Sequence, residues 1–261
     1  MGGRITEESL RGTSTSVIGR EIEIIEEAAS TNEVARKRAE SGCREGLIVL
    51  ARSQTSGKGR AGRSFVSPPG GLYFSIVLRP GNKADQASIL PLMAGLAVSK
   101  SISASLMLPS RLKWPNDVLV NDRKVCGILV ESSTKGDRLD HVIIGIGINV
   151  NFTLKDLPPE LSETAGTLMD AKGSRVDMEG LFRDLVCFLE MLYRRFIGGD
   201  IAGILDDWTG RSETIGRDVR IASPEGSIEG KALGVDQSGA LLLSVNGSLR
   251  RISMGDVEHI H

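Results

Sequence analysis

The chain has 261 residues, 40% hydrophobic and 25% charged, the composition of an ordinary globular protein with room for one large domain and a small appendage. Its 32 basic and 33 acidic residues leave a formal net charge of -1, which excludes any general attraction to nucleic acid or an acidic membrane. The three cysteines, Cys43, Cys126 and Cys187, form no C-x-x-C pair, so neither a zinc site nor a disulfide framework is indicated and a reducing cytoplasm is expected.

The polar opening "MGGRITEESLRGTSTS" lacks the apolar core of a signal peptide, and no apolar run is expected to approach the ~20 residues of a membrane span. "EIEII" (Glu21 to Ile25) alternates with strand period. "STNEVARKRAESG" reads as a helix, with Ser30 and Glu33 at capping-box spacing and Gly42 at its end. Strands are expected at Gly46 to Gln54 and Leu72 to Pro80, then a buried helix from Ala84 to Leu106 with Pro91 in its first turn or at a kink. Val118 to Val120, a tight Asn121-Asp122 turn and Lys124 to Glu131 make a hairpin, followed by the apolar strand "HVIIGIGINVN". Leu181, Leu185, Val186, Leu189, Leu192, Tyr193 and Phe196 recur at helical spacing, and a short helix follows around Ile201 to Trp208. From about Thr214 the texture changes to short strands broken by turns such as "SPEG", "QSG" and "NG", a small β-barrel-like module stabilised by docking. His141 opens an apolar run, while His259 and His261 sit in a tail expected to fray; structural or solvent roles are expected for all three.

One stretch, "SQTSGKGRAGRSF" (Ser53 to Phe65), carries a literal G-x-G-x-x-G at Gly57, Gly59 and Gly62. A dinucleotide fingerprint would close a strand and open a helix, but Pro68, Pro69, Gly70 and Gly71 follow and cannot open one. A Walker A loop fails as well, because Lys58 is not followed by Ser or Thr. A minor-groove arm is disfavoured by the flanking apolar strands and the near-neutral chain. Glycines that free backbone N–H groups, set among Lys58, Arg60 and Arg63, suit a phosphate that must be enclosed and later released. Lys113 and Lys124, at strand ends, add cations at one sheet edge.

Six ordered motifs, "STN", "QTSGKGRAGR", "SPPGGLYFS", "KWPNDV", "RKVCGILVE" and "GIGINVN", resemble the biotin protein ligases over nearly the whole chain, and "GVDQSGALLL" resembles that family's SH3-like end domain. The resemblance implies an α+β fold of the class II synthetase-like biotin/lipoate ligase type. That is a mixed, mainly antiparallel sheet with packed helices over residues 1–213, plus a small SH3-like barrel over 214–261. It implies a reaction in which biotin, ATP and Mg2+ give biotinyl-5′-AMP, which then acylates one lysine of a biotin carboxyl carrier protein. A carboxylate titrates near ~4 and needs no base to attack a phosphate, which agrees with the lack of a Ser-His or Cys-His pair. What such chemistry needs is cations at the phosphates and a site closed to water.

By the same resemblance Lys124 is the main catalytic cation, with Arg60, while Asp117 accepts the proton of the incoming lysine or touches Mg2+. Ser30, Thr31, Asn32, Gln54, Gly57, Lys58, Gly59, Arg60 and Gly127 are implied to bind biotin; Arg60, Arg63, Phe65, Lys124 and Asn149 are implied to hold ATP and the adenylate. Trp114 is expected in the core. Lys58 and Ala61 stand where many members carry arginines, and Phe65 where many carry tryptophan, so adenylate retention is expected to be looser. The stretch before the first strand is too short for the DNA-binding domain of some members, so a monofunctional, cytoplasmic ligase is expected, without nucleic acid or membrane partners and pairing as a homodimer. Two alternatives stay open: a lipoate protein ligase of the same fold, and a non-catalytic nucleic-acid-binding protein built on the basic loop.

Overall fold

The computed structural model describes residues 5–6, 8–9, 13, 15–223 and 226–260; most of the polar opening, the Pro224-Glu225 turn and His261 lie outside the described residues. Strands β1 (Ile22–Ala28), β2 (Ile48–Gln54), β3 (Leu72–Leu78), β4 (Arg111–Lys113), β5 (Asp117–Val120), β6 (Arg123–Lys135) and β7 (Arg138–Ile148) form one sheet, ordered β1-β2-β3-β7-β6-β5-β4. The pair β1 and β2 is parallel, joined through α1 (Thr31–Glu40) as a parallel crossover requires, and the other neighbours are antiparallel. The fold is α+β with a mainly antiparallel sheet, as expected.

The alternation of side chains along β3 and β7 decides what lies on each face of this sheet. Leu72, Phe74, Ile76 and Leu78, with Val142, Ile144, Ile146 and Ile148, join the main core with α2 (Ile89–Leu106) and α4 (Met178–Ile197). On the other face Val49, Val77 and Ile143 pack under Ala35 and Ala39 of α1. Towards the middle of that second face the apolar bulk disappears: Ser75 lies opposite Gly145, Tyr73 opposite Gly147, and Gly147 opposite Gly127 of β6. A sheet with no side chains at those points leaves a hollow between α1 and the strands.

Pro91 falls in the first turn of α2, where its missing N–H costs nothing. Contrary to expectation, residues Ala84–Leu106 are long and apolar enough to cross a membrane by length and composition, but 72% of that window is buried inside the fold. The hairpin turn uses Asn121 and Asp122 at φ 51° and 58°, the left-handed pair that joins two strands tightly. The edge strand β4, the short helix α3 (Leu168–Lys172) and the last strand, Asp256–His259, were not legible, whereas α5 (Ile201–Thr209) lies where a short helix is expected.

Strands β8 (Asp218–Ser223), β9 (Gly226–Val235), β10 (Leu241–Val245), β11 (Ser248–Ile252) and β12 (Asp256–His259) make a second, wholly antiparallel sheet of the size expected for the SH3-like module. His259 pairs with Val219 in β12 and so belongs to this sheet rather than to a frayed tail. Val219, Ile221, Ala232, Leu241 and Leu243 join the main core, so the module is docked. Trp114 is the hook: it is 2% exposed, its Nε1 donates to Gly239 O at 3.0 Å, and its backbone N–H donates to Thr214 Oγ1 at 3.0 Å.

Candidate functional site

The hollow on the α1 face is a cavity of about 230 Å3. Its wall includes Ser30, Thr31 and Asn32 at the start of α1, Gln54 at the end of β2, Lys58, Gly59, Arg60 and Arg63 on the loop above, and Asp117 and Lys124 on β5 and β6. Phe65 lies across Gly127 and Gly147; a Cβ at Gly147 would fall 2.5 Å from its Cε1. The ring also meets Tyr73 edge to face, at 6.4 Å between centroids. The "GIG" spacing of β7 is therefore what makes room for an aromatic wall and a ligand on one face while its isoleucines fill the core on the other.

Ser30 does not cap α1 with its side chain, so the expected capping box is absent. Its hydroxyl is on the cavity wall instead, and Glu33 stands 3.7 Å from Lys58 and 3.9 Å from Lys37. Thr31 and Gln54 are tied: the Thr31 N–H donates to Gln54 Oε1 at 2.8 Å, and Gln54 Nε2 donates to Ser67 Oγ at 2.8 Å.

The basic loop is an ordered, hairpin-like strap. Phe65 N–H donates to Gly57 O at 2.8 Å, Gly59 N–H to Arg63 O at 2.7 Å, and Ala61 and Gly62 turn the chain at φ 52° and 75°. Gly57 is at the base of the strap and off the cavity wall, and a Cβ there would strike Phe65 O at 2.3 Å. The loop reaches the C-terminal sheet: Arg63 Nη2 is 2.6 Å from Asp256 Oδ1, and Arg60 Nη1 donates to Gly255 O at 3.3 Å and Asn116 Oδ1 at 3.4 Å. Burial draws the Arg60 guanidinium below its ordinary pKa, with Asp256 opposing.

Lys124 Nζ and Asp117 Oδ1 form an ion pair of 2.7 Å at the cavity wall. The pair also borders an adjoining cleft with Lys113, Glu163, Glu213 and Arg217, so Lys113 lies outside the first cavity. Asn149 stands behind the wall: its Nδ2 donates to Gly166 O at 3.0 Å, and its buried Oδ1 receives no hydrogen bond. Among the described residues no group of three or more His, Cys, Asp or Glu side chains could hold a metal ion.

The sequence therefore led to Ser30, Thr31, Asn32, Gln54, Lys58, Gly59, Arg60, Arg63, Phe65, Asp117, Lys124 and Gly127 on one cavity wall, with Gly57 and Asn149 one layer behind. It missed Asn116, which links Arg60 to Ile128 O, and Asp256, which lies almost 200 positions from the loop it holds. Asn116 sits inside the "KWPND" motif and could have been singled out; nothing in the sequence pairs Asp256 with Arg63.

Residues 25–149 match the biotin/lipoate A/B protein ligase family, and residues 214–260 match the biotin protein ligase C terminal domain. The bifunctional ligase/repressor BirA of Bacillus subtilis is 35% identical over 258 residues, spanning 98% of this chain and 79% of the relative. The biotin--[acetyl-CoA-carboxylase] ligase of Mycobacterium tuberculosis is 33% identical over 250 residues, 92% of this chain and 90% of the relative. The solved biotin protein ligase of Aquifex aeolicus in complex with biotin and ATP is 30% identical, with a TM-score of 0.78 over 92% of this chain and 99% of that one.

Proposed function

The chain belongs to the biotin protein ligase family, and on that premise we propose that it activates biotin with ATP and passes it to a carrier-protein lysine at the cavity beneath the 57–65 strap. The observation that carries this reading is that one cavity combines hydroxyl and amide groups suited to a urea ring, Ser30, Thr31 and Gln54, with the cations Lys124, Arg60 and Arg63.

In the first step the biotin carboxylate attacks the α-phosphorus of ATP, an O–P bond forms, and the bond to pyrophosphate breaks. Lys124, held by Asp117, neutralises charge shared by the carboxylate and the α-phosphate; Arg60 and Arg63 exchange their present partners for phosphate oxygens. Asn149 offers its unpaired Oδ1 to the adenine or ribose. In the second step the acceptor lysine gives a proton to Asp117, its nitrogen attacks the acyl carbon, and AMP leaves as the C–O bond breaks. Mg2+ would enter on the nucleotide phosphates and lower their charge, with Asp117 the one carboxylate on the cavity wall among the described residues.

We further propose that residues 1–213 act as the catalytic unit and 214–261 as the SH3-like unit, supported by the two separate sheets, and that the enzyme works in the cytoplasm, where ATP is available, as a homodimer. No nucleic-acid role is proposed. The deciding assay incubates the protein with MgATP, a biotin carboxyl carrier domain and radiolabelled biotin or lipoate. ATP-dependent label from biotin is expected on the carrier; its absence, or label from lipoate alone, would refute the reading.

A further inference from the structure

Gln54, Thr31, Ser75, Asn32 and Glu131 form one chain of hydrogen bonds under the cavity, and its two ends cannot reverse. At one end the Thr31 N–H, which can only donate, holds Gln54 with Oε1 towards it at 2.8 Å. At the other end Glu131 Oε2, which as a carboxylate can only accept, takes Asn32 Nδ2 at 2.7 Å and so turns Asn32 Oδ1 towards Ser75. Two hydroxyls with one proton each stand between. Ser75 Oγ is 2.7 Å from Asn32 Oδ1 and 2.8 Å from Thr31 Oγ1, and its proton can serve one of them at a time.

With Asn32 held oxygen-first, Ser75 has an acceptor on its far side, and Thr31, whose own proton reaches Gln54 Oε1 at 3.2 Å, keeps both lone pairs of Oγ1 for ligand N–H groups. Were Asn32 to turn over, its NH2 would face Ser75, whose proton would then go to Thr31 and take one of those two lone pairs. The sheet builds this arrangement in: Gly145 makes room for Asn32, since a Cβ there would lie 1.9 Å from Asn32 Oδ1. Glu131 follows two residues after Leu129, whose carbonyl accepts the other Asn32 N–H at 3.4 Å.

We infer that Glu131, which is not on the cavity wall, is a positioning residue that fixes the donor and acceptor pattern shown to a urea-type ring. The inference rests on the biotin reading above and adds to it the group that sets the direction of recognition.

The test is Glu131→Gln, which keeps a partner of the same size for Asn32 but lets the two carboxamides reverse together. KM and kcat are measured by pyrophosphate exchange with biotin. The KM for biotin is expected to rise by about threefold or more in the variant, the loss of roughly one directed hydrogen bond. The kcat at saturating biotin should stay within about twofold and Tm within about 2 °C. In a Ser75→Ala background, where the chain is already cut, Glu131→Gln should raise KM no further. An unchanged KM in E131Q, or additive effects in the double variant, overturns the inference; no biotin-dependent exchange in the parent overturns the reading beneath it.

Discussion

Replacing Gly147 by alanine separates the stability of the fold from the quality of the site. The added Cβ would stand 2.5, 2.8 and 3.1 Å from Cε1, Cζ and Cδ1 of Phe65, against the ~3.5–4.0 Å of a normal carbon contact, so the ring must retreat by about 1 Å. Overpacking of this kind costs about 1–3 kcal/mol. Phe65 is only half-buried and edges the cavity, so the soft response is for the ring to swing into space that a ligand needs. Charged to binding, 1–3 kcal/mol corresponds to about fivefold to 150-fold in Kd. Charged to folding, each kcal/mol would lower Tm by roughly 2–4 °C. We expect Gly147→Ala to weaken biotin binding at least fivefold by titration calorimetry while Tm moves by less than about 3 °C. Gly145→Ala, whose Cβ meets the buried Asn32, should lower both. A biotin Kd within twofold of the parent for a folded Gly147→Ala protein would refute this account of the hollow.

Other substitutions probe the cations and the buried titratable groups. Lys124→Ala is expected to lower pyrophosphate exchange by a factor of about 100 or more, the cost of one preorganised charge at the phosphate, with its melting curve unchanged. Arg60→Gly should release biotinyl-AMP faster than the parent in a rapid-dilution assay, because the strap loses its ties to Asn116 and Gly255. Burial would raise the Glu190 carboxyl, but the Ile18 N–H, Arg194 and Ser16 together hold it below the ordinary range. A depressed acid stabilises above its unfolded pKa of ~4.3 and loses that contribution as pH falls through the folded value. Glu190→Gln should therefore cost about 1–3 kcal/mol at pH 7 in urea unfolding, with the gap to the parent closing below roughly pH 4. Burial pushes the Cys126 thiol well up, so iodoacetamide at pH 8 should modify Cys43 and Cys187 and spare Cys126 until the protein unfolds, as read by peptide mass.

Much of the molecule was legible because period-two and period-3.6 patterns report burial directly. The isoleucines of β7 and the leucines of α4 announced which face meets the core, and the glycines of "GIGIN" marked the face that does not. Ser30 misled for a physical reason: spacing to Glu33 describes a cap, but the sequence cannot say that the hydroxyl turns to the hollow while Glu33 meets Lys58. Strand β4 is three residues long, too short for any alternation to show. Asp256 and Glu131 were invisible as parts of the site because their roles depend on partners that only the fold brings near.

Trp114 is separated from Asp117 by Pro115 and Asn116 alone, and its indole is fastened to the terminal module at Gly239. A swap of that module between relatives, or a cut at its boundary, would therefore be felt three residues from the pair of Asp117 and Lys124. Graft designs that treat the last fifty residues as a detachable tag should carry the Gly239 loop with the Trp114 turn as one unit, or expect the damage to surface as poor nucleotide handling rather than as a missing domain.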